Sequence, residues 1–334
     1  MEKPRRWRYG VNRWIVLALI ILNVLAWRAY APVLPHIQLP AEKLFALFGN
    51  FYWTNTLTAM VISDILIILL ALYMRSVVSK GKLVLGGFAG AVEALLEIIY
   101  NLTETTAGRW ARSIFPFFAT IAFYVLIVNW MELIPGVDSI GKMEAVSQGL
   151  HGYATQTLFH LGNLPVETIL AGSGAAAEGA AEAAGGGFQV VPFVRTLSTD
   201  LNFTVALALI AVISVQIMGY RALGLRYFEK FINVKGIFSR PVFGLIDFGV
   251  GLLEMISEFS KILSFSFRLF GNIFAGTVLL FVIGSLVPVL AQSGFLLLEF
   301  FVGLIQAVVF GMLTMVFMSQ ATQGHENPEV EQGR

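Results

Sequence analysis

The sequence predicts an all-α integral membrane protein with about six membrane helices, of which the last two are long, tilted and antiparallel. Hydrophobic residues make up 57% of the 334 residues, charged residues only 13%, and the mean hydropathy is +0.77. Long apolar segments recur along the chain and alternate with loops that are either rich or poor in Lys and Arg. This composition and pattern are typical of a multi-pass membrane protein and not of a soluble one.

The first predicted helix follows a basic N-terminal segment. Residues 1–13 are basic and residues 14–27 are apolar, so they could form a signal peptide with the AYA sequence that follows as its cleavage site. Pro32, directly after that site, disfavours cleavage, and an uncleaved first helix is expected instead. Residues 34–55 then form an external loop, in which two prolines indicate an irregular path.

The second helix is expected at about 56–74, with Asp64 in its apolar body. Residues 75–112 predict a loop that contains an amphipathic helix, because both signs of charge recur in this segment. This loop joins the second and third helices.

The third helix is expected at about 113–134, opened by Pro116, with Glu132 near the external interface. Residues 136–199 then form a long external loop. Its core, AGSGAAAEGAAEAAGGG, has low complexity and predicts poor order. The alternative, a weak Ala-rich helix, is disfavoured by the glycines.

Three helices are predicted in the C-terminal half. The fourth begins near Asp200 and ends near Tyr220. Residues 242–287 are mostly apolar, but as a helix they would reach roughly 70 Å, against a bilayer core of about 30 Å. Two helices could fit there, but the first of them would have to contain three charged side chains, so one strongly tilted helix is favoured. The last helix is expected at about 294–319.

The distribution of Lys and Arg predicts the orientation. Residues 1–13, 75–112 and 221–240 hold five of them each, whereas the alternate loops hold four together. The positive-inside rule places the first set in the cytoplasm. Both termini are therefore predicted to be cytoplasmic, in a multi-pass protein of the cell inner (plasma) membrane.

A polar stripe crosses the apolar segment at 254–277, with Arg268 near its middle. A charged side chain at the bilayer centre costs about 2.5–3.5 kcal/mol on insertion scales, which makes this arginine a functional candidate. Steps of three or four residues place it on one helical face with Glu254, Ser257, Lys261, Ser264 and Asn272. The alternative, a set of unrelated charges at helix ends, does not explain why one face is kept over about five turns.

The last two helices should run antiparallel, because only a short turn around 287–288 joins them. Facing residues then have numbers that add to about 575, the sum of 287 and 288. This sets Arg268 opposite Gln306 or its neighbour, and Thr277 opposite Glu299 or its neighbour. The two polar faces should therefore meet.

The final helix also carries a face with polar groups, formed by Glu299, Gly303, Gln306 and Phe310. Interhelical hydrogen bonds that only stabilise packing are one interpretation of these residues. An arginine, two carboxylates, an amide and several hydroxyls are more than packing requires, so the pattern favours an ion path.

Several other chemistries are not supported by the sequence. The chain has no cysteine, hence no disulfide, thiolate metal site or iron–sulfur cluster. Its four histidines fall in predicted loops or at the C-terminus, which argues against a haem-carrying oxidoreductase. There is no Walker-type phosphate loop and no HExxH, and a net charge of +1 gives no sign of nucleic-acid binding. No cofactor, metal or catalytic residue is expected.

Five segments resemble subunit a of the F-type ATP synthase, the stator part of the rotary proton channel. They are SFRLFGNIFAG at 266–276, LIQAVVFGMLTMVF at 304–317, PVFGLIDFGVGLLEMISEFSK at 241–261, VNWMELIPG at 128–136 and STDLNFTVALAL at 198–209. They stand in the family's order and spacing, and RLFGN with a downstream IQA is specific. The resemblance implies a subunit a-like membrane domain at 56–334. The N-terminal helix and external loop at 1–55 and the low-complexity external insert at about 137–190 lie outside the matched residues.

The resemblance also implies the residues of the ion path. Arg268 matches the family's essential arginine, and Asn272 and Gln306 match its polar partners. Glu254 and Ser264 match positions that line the cytoplasmic half-channel. Two positions bear on the outer half-channel. The family often has an acid or histidine at Thr277, and threonine cannot titrate. Glu299 matches a titratable position and is expected to serve there alone.

Six further residues are candidates for lining the channel. Asp64, Glu132 and Asp200 are candidates for its outer entrance, because they lie in the external halves of apolar segments. Helix capping is the alternative role of Asp200. Ser257, Lys261 and Thr277 are candidates because they lie on the polar stripe or opposite Glu299.

The function that the resemblance implies is proton conduction in a rotary ATP synthase. The arginine would separate two offset half-channels and face carboxylates on a ring of c subunits, and ATP would form on other subunits. The implied partners are the c-ring, b-type peripheral stalk subunits, other ATP synthase subunits, membrane lipid and the transported H⁺ or Na⁺. The alternative is a secondary cation/proton antiporter, which should show repeated halves and broken helices; the sequence has no convincing internal repeat. A purely structural anchor does not account for Arg268.

Overall fold

The computed structural model describes residues 9–29, 40–49, 51–81, 85–145, 153, 155–161, 164–169, 188–231, 241–287 and 290–323. Five helices within these ranges are long and apolar enough to cross a membrane, and a shorter apolar helical stretch lies at Arg13–Ala26. The predicted class of helical membrane protein is thus confirmed.

The α-helices follow the apolar segments of the sequence. They are α1 Tyr9–Ala29, α2 Asn55–Val78, α3 Gly87–Ala107, α4 Ala111–Met131, α5 Leu201–Leu223, α6 Pro241–Leu286 and α7 Leu290–Thr322. Three 3-10 segments add to them: Gly108–Trp110, Leu197–Thr199 and Gly224–Lys230.

The longest helix confirms one expectation in particular. Residues 241–286 form a single α-helix of 46 residues and not two shorter helices. Its only proline is the first residue, where the missing N–H has no helical partner to lose. The sequence therefore contains no residue that would break the helix before Leu286.

The amphipathic helix predicted within 75–112 is α3, which buries one face and exposes residues such as Phe88 and Ile98. The start of the next helix differs from the expectation. α4 begins at Ala111, so Pro116 lies inside it and does not open it. The proline leaves only the carbonyl of Arg112 without its helical donor, and that residue is exposed near the helix start.

The loops that are predicted to be external contain β-strands, which the sequence interpretation missed. β1 (Lys43–Phe48) pairs antiparallel with β2 (Phe51–Thr54), β3 (Gly141–Ala145) with β6 (Phe188–Pro192), and β4 (Thr155–Leu161) with β5 (Leu164–Ile169). The core of the Ala/Gly-rich insert, at 171–187, lies outside the described residues.

Aromatic residues explain the first of these hairpins. Phe45 and Trp53 are paired across it, and their rings stack at 5.9 Å with an angle of 8° between their planes. Such cross-strand aromatic pairs stabilise a two-stranded ribbon. The sequence interpretation gave weight to the prolines of this loop and overlooked its aromatic residues.

The chain divides into two compact units, each built from separate stretches of sequence. The first comprises Met1–Thr58, Glu132–Arg195 and Phe274–Val302, and it contains all the described strands. Within it, Glu42 and Asn55 tie β1 to the start of α2. The Glu42 backbone N–H donates to Asn55 Oδ1 at 3.2 Å, and Asn55 Nδ2 donates to Glu42 Oε2 at 3.0 Å.

The second unit comprises Ala59–Met131, Thr196–Ile273 and Gly303–Arg334. Its apolar core draws on α4, α5, α6 and α7 and includes Val125, Ala208, Leu269, Ala307 and Phe310. A neighbouring cluster joins α3 and α4 to the C-terminal half of α7. The first of these clusters packs against α6 and so holds its polar stripe in place.

Candidate functional site

The polar stripe of α6 lies on a face that this chain leaves open. Three of its side chains are exposed (Ser257, Ser264, Asn272) and three are half-buried (Glu254, Lys261, Arg268). The adjacent face of the same helix is packed in the core, where Phe265, Leu269 and Ile273 are at most 2% exposed.

Apolar side chains flank the stripe and are themselves open. Phe259, Leu263 and Phe267 are between 43% and 63% exposed. A polar stripe within such an apolar face is suited to another membrane-embedded surface that carries a polar group of its own.

Arg268 is held by its own helix. Its Nη2 donates a hydrogen bond to Ser264 Oγ at 3.2 Å, one turn earlier. Among the described residues, no carboxylate lies within salt-bridge distance of the guanidinium. The charge is therefore oriented by Ser264 but not neutralised within the described part of the chain.

Asn272 and Gln306 bring the polar faces of α6 and α7 together. Asn272 Nδ2 donates to Gln306 Oε1 at 2.9 Å, and Gln306 is only 4% exposed. Within the described ranges Gln306 Nε2 is buried and has no hydrogen-bond partner. The expectation placed Gln306 opposite Arg268, whereas the recorded hydrogen bond of Gln306 is to Asn272, one turn further along α6.

The antiparallel register of α6 and α7 is otherwise close to the predicted sum of 575. In the second unit, the rings of Phe265 and Phe310 lie 4.8 Å apart, and their numbers add to 575. In the first unit, the position that a Cβ on Gly284 would take is 3.1 Å from Gln292 Nε2, and these numbers add to 576. The predicted pairing of the two helices is thus confirmed.

Glu132 lies directly after α4. It contacts Thr277, whose side chain does not titrate. Thr277 Oγ1 donates to Glu132 Oε1 at 2.5 Å. Glu132 is 9% exposed, and burial raises its pKa to about 8; the hydrogen bond from Thr277 opposes this rise, and the nearby charges of Glu299 and Asp138 add to it. Its second oxygen, Oε2, is buried without a hydrogen-bond partner among the described residues.

Glu299 lies against the glycine before Thr277. A Cβ on Gly276 would fall between 2.4 and 2.6 Å from the carboxyl atoms of Glu299, so only glycine leaves room for this approach. Glu299 is 6% exposed, and its Oε1 is buried and unpartnered within the described part of the chain. The sequence expectation set Glu299 opposite Thr277; the carboxyl instead packs on Gly276, while Thr277 turns to Glu132.

The two aspartates predicted for the outer entrance have other contacts. Asp200 caps α5: its Oδ1 accepts from the Asn202 N–H at 2.9 Å, which is the alternative role considered from the sequence. Asp64 is half-buried on α2, and its charge acts on Tyr124 of α4.

Sequence reasoning gave no role to a buried amide at Asn129. Asn129 is 2% exposed; Ser198 Oγ donates to its Oδ1 at 2.7 Å, and its Nδ2 donates to the Gly303 carbonyl at 3.3 Å. The amide thus joins α4, the 3-10 segment before α5, and α7. The only sequence signal was its presence in the VNWMELIPG segment.

Sequence reasoning also gave no role to Glu258. This carboxylate accepts from Lys261 Nζ at 2.7 Å and from Gln216 Nε2 at 3.0 Å, and it is 9% exposed. The spacing of three residues between Glu258 and Lys261 on one helix could have indicated this pair. Gln216, in contrast, lies 42 residues away in sequence and on another helix.

Comparison with known proteins assigns a family to most of this chain. Residues 57–319 match the model of the ATP synthase A chain family. Subunit a of the ATP synthase of Campylobacter concisus is 27% identical over 207 residues, which are 61% of this chain and 62% of that relative. The corresponding subunit of Geotalea daltonii is 25% identical over 205 residues, or 61% of each chain.

A shorter stretch is more similar. Subunit a of Geotalea uraniireducens is 35% identical over 72 residues, which are 21% of this chain and 31% of the relative. In each of these comparisons the matched segment spans less than two thirds of the relative's length.

Proposed function

Because the chain belongs to the ATP synthase A chain family, we propose that it is the proton-conducting stator subunit of a rotary ATP synthase. In this role two offset half-channels, one open to each side of the membrane, lead protons to and from carboxylates on a rotating ring of c subunits. The proposed location is the cell inner (plasma) membrane, with both termini in the cytoplasm. Peripheral stalk subunits of the b type and the other ATP synthase subunits are the further proposed partners.

One observation carries this proposal: Arg268 has no carboxylate partner among the described residues and lies on an open apolar face. An arginine in such a place is costly in lipid unless a partner supplies the opposite charge. A carboxylate on an otherwise apolar helix of the rotor would do so. Arginine suits the role because it stays charged in almost any environment, whereas a buried lysine can lose its proton.

The mechanism follows from the cost of moving a charge through lipid. A rotor carboxylate crosses the lipid protonated, gives up its proton where Arg268 stabilises the ionised form, and takes up a proton from the other half-channel. The fixed cation also repels protons and so prevents a direct leak between the half-channels. Each proton moved down the membrane potential yields about 2.3 kcal/mol per 100 mV, which turns the ring.

The outer half-channel is proposed to use two carboxyls and not one. Glu132 and Glu299 are both more than nine-tenths buried, and each has one buried oxygen without a partner in the described ranges. Thr277, which cannot titrate, binds Glu132 through its hydroxyl. Glu132 therefore supplies the acid that the position of Thr277 lacks, and Glu299 passes protons beside it.

The inner half-channel is proposed to follow the first half of the stripe. Glu254 and Ser264 lie on it with Ser257 and Lys261, and all four are exposed or half-buried. Near Arg268, the hydrogen bond to the buried Gln306 fixes the exposed Asn272, which is proposed to face the rotor.

The test of this function replaces the arginine. In an assembled complex, Arg268→Ala is expected to abolish proton-driven ATP synthesis, because no cation then holds the ionised rotor carboxylate. Arg268→Lys is also expected to fail, since lysine can lose its charge when buried. Synthesis is measured in liposomes under an imposed proton gradient, with Arg226→Ala, an exposed arginine outside the stripe, as the control. Wild-type rates with Arg268→Ala would overturn the proposal.

A further inference from the structure

A partly buried chain of hydrogen bonds runs from the 3-10 segment after α5 to the polar stripe of α6. The Tyr227 hydroxyl donates to Gln216 Oε1 at 2.8 Å, and Gln216 Nε2 donates to Glu258 Oε2 at 3.0 Å. Lys261 Nζ donates to Glu258 Oε1 at 2.7 Å. Every donor in this chain points towards Glu258, which is the arrangement that favours an ionised carboxylate.

Packing from three elements holds this network in place. The Tyr227 ring lies on α5 at Gly219, where a Cβ would come within 2.3 Å of the ring, so glycine is needed for the contact. Tyr227 is 3% exposed. At the other end, Lys261 Nζ sits 4.7 Å from the centre of the Phe317 ring on α7, a cation–π distance. The side chain of Lys261 is thus fixed from α6 and α7 together.

The network changes the charge of the stripe. α6 and α7 contain two cations between them, Lys261 and Arg268. They are seven residues apart on one face, or about 10 Å along the helix. Lys261 forms a salt bridge with Glu258, whereas no described carboxylate pairs with Arg268. Within the described part of the chain, the charge of Lys261 is neutralised and that of Arg268 is not.

We propose that Glu258, fixed by Gln216 and Tyr227, is a positioning residue that neutralises Lys261 and leaves Arg268 as the one uncompensated cation of the stripe, all six residues of which are described. This inference rests on the proposed function, because it concerns the carboxylate that Arg268 is proposed to meet. It adds a chain-specific condition: a lysine two turns from the arginine is tolerated only because a buried acid cancels its charge.

The reason lies in what a second cation would do. A carboxylate that passes along the stripe is stabilised in its ionised form by any unpaired cation within a few ångströms. With Lys261 unpaired, an arriving rotor carboxylate would stay ionised at two positions along the stripe, beside Lys261 and beside Arg268, instead of beside Arg268 alone. It could then be held beside Lys261, away from the site at which it must be released to the lipid.

The test is a double-mutant cycle on assembled complexes in liposomes. Glu258→Gln keeps the shape, but it offers one accepting oxygen instead of two to Gln216 and Lys261, and it leaves the charge of Lys261 unpaired. It is expected to lower proton-driven ATP synthesis roughly tenfold, since a nearby cation shifts the ionisation of a carboxylate by about tenfold or more. Adding Lys261→Gln removes the uncompensated charge and should recover most of that loss. Glu258→Asp, which keeps the charge, should retain more activity than Glu258→Gln.

Two controls separate this role from simple packing. Glu93→Gln, at an exposed acid of α3, should not change the rate. The amount and the thermal stability of the assembled complex are measured for every variant, because breaking a buried pair can destabilise a protein. If Glu258→Gln does not assemble, the double variant and Glu258→Asp still decide the question, since a neutral pair at these positions should assemble and work.

The proposal is overturned if Glu258→Gln synthesises ATP at the wild-type rate. It is also overturned if the assembled double variant synthesises ATP no faster than Glu258→Gln. Arg268→Ala separates the proposed function from the role of Glu258. A functional Arg268→Ala complex would contradict the proposed function. If Arg268→Ala is inactive and the double variant still fails to recover activity, only the role of Glu258 is contradicted.

Discussion

At the scale of single residues, Glu132 has the clearest electrostatic consequence. Its pKa is raised from an ordinary value of 4.5 to about 8, chiefly by burial. Thr277 contacts it directly, and Glu299 and Asp138 are the acids whose charges act on it. A carboxyl with such a pKa changes protonation near neutral pH, as a group that takes up and passes on protons should.

The same shift predicts how stability depends on pH. Below about pH 4.5 the carboxyl is protonated in both folded and unfolded chains and costs nothing. As the pH rises to about 8 the unfolded chain ionises while the folded one does not, so the folded state loses stability. The upper limit is about 5 kcal/mol, at about 1.4 kcal/mol per pKa unit.

Glu132→Gln should therefore flatten the pH dependence of stability. We expect the melting temperature of the intact complex in detergent to fall less between about pH 5 and 8 in this variant than in the wild type. The control is Glu167→Gln, which removes an exposed acid on β5 and should leave the slope unchanged. Equal slopes in wild type and Glu132→Gln would contradict the assignment of a raised pKa to Glu132.

Residue types could be predicted from the sequence more readily than their partners. Arg268 was identified because it is a charged residue in an apolar segment. Thr277 was identified because threonine does not titrate. The contact between Thr277 and Glu132 joins residues 145 positions apart, and no local pattern encodes it. Gln306 was expected near Arg268, but its hydrogen bond goes to Asn272.

At the scale of elements, α6 and α7 follow from length, pattern and a short connection. These features predicted a single long helix and the register of the pair. They could not predict the rotation of each helix about its axis. One residue turns a helix by about 100°. This rotation decides that Gly276 faces Glu299 while Thr277 faces Glu132.

Gly276 provides a test of that rotation. Gly276→Ala would place a methyl group within 2.4 to 2.6 Å of the Glu299 carboxyl atoms, so the carboxyl must move. We expect proton-driven ATP synthesis to fall about tenfold, because displacing a reacting group by about 1 Å can cost up to a hundredfold. Glu299→Gln, which removes the titrating group but keeps its shape, gives the reference for a complete loss of this carboxyl.

Gly294→Ala is the matched control for that change. Gly294 lies in α7, near Glu299 in sequence, and a Cβ there would meet nothing within 4 Å. Both substitutions favour helix formation equally, so a difference between them reports on the contact with Glu299. If Gly276→Ala is as active as Gly294→Ala, the close packing of Glu299 on Gly276 is not needed for transport.

At the scale of the whole molecule, the sequence predicted the class and the number of apolar segments but not the division into two units. Each unit is assembled from three separate stretches, and three of the boundaries fall inside α2, α6 and α7. A hydropathy pattern reports which segments are apolar, whereas the units arise from contacts between segments far apart in sequence. The strands of the loops predicted to be external were missed although two of their three pairs, β1–β2 and β4–β5, join neighbouring segments. In the first of these hairpins the interpretation gave weight to the prolines and overlooked the aromatic residues.

The orientation in the membrane rests on the distribution of Lys and Arg, and the chain offers a direct way to test it. Because there is no native cysteine, single cysteines can be introduced without background. Ser79 follows α2 in a segment predicted to be cytoplasmic, and Ser139 lies between α4 and β3 in the predicted external loop. Both side chains are exposed.

A membrane-impermeant maleimide should label Ser139→Cys in right-side-out vesicles and Ser79→Cys in inverted ones, each at least about tenfold faster than in the opposite orientation, since charged reagents do not cross the bilayer. Labelling is followed by the mass of the purified subunit, and permeabilised vesicles give the full reactivity of each cysteine. The reverse pattern would invert the chain in the membrane. Glu132, seven residues before Ser139, would then lie at the inner side, and the proposed outer half-channel would have to be reassigned.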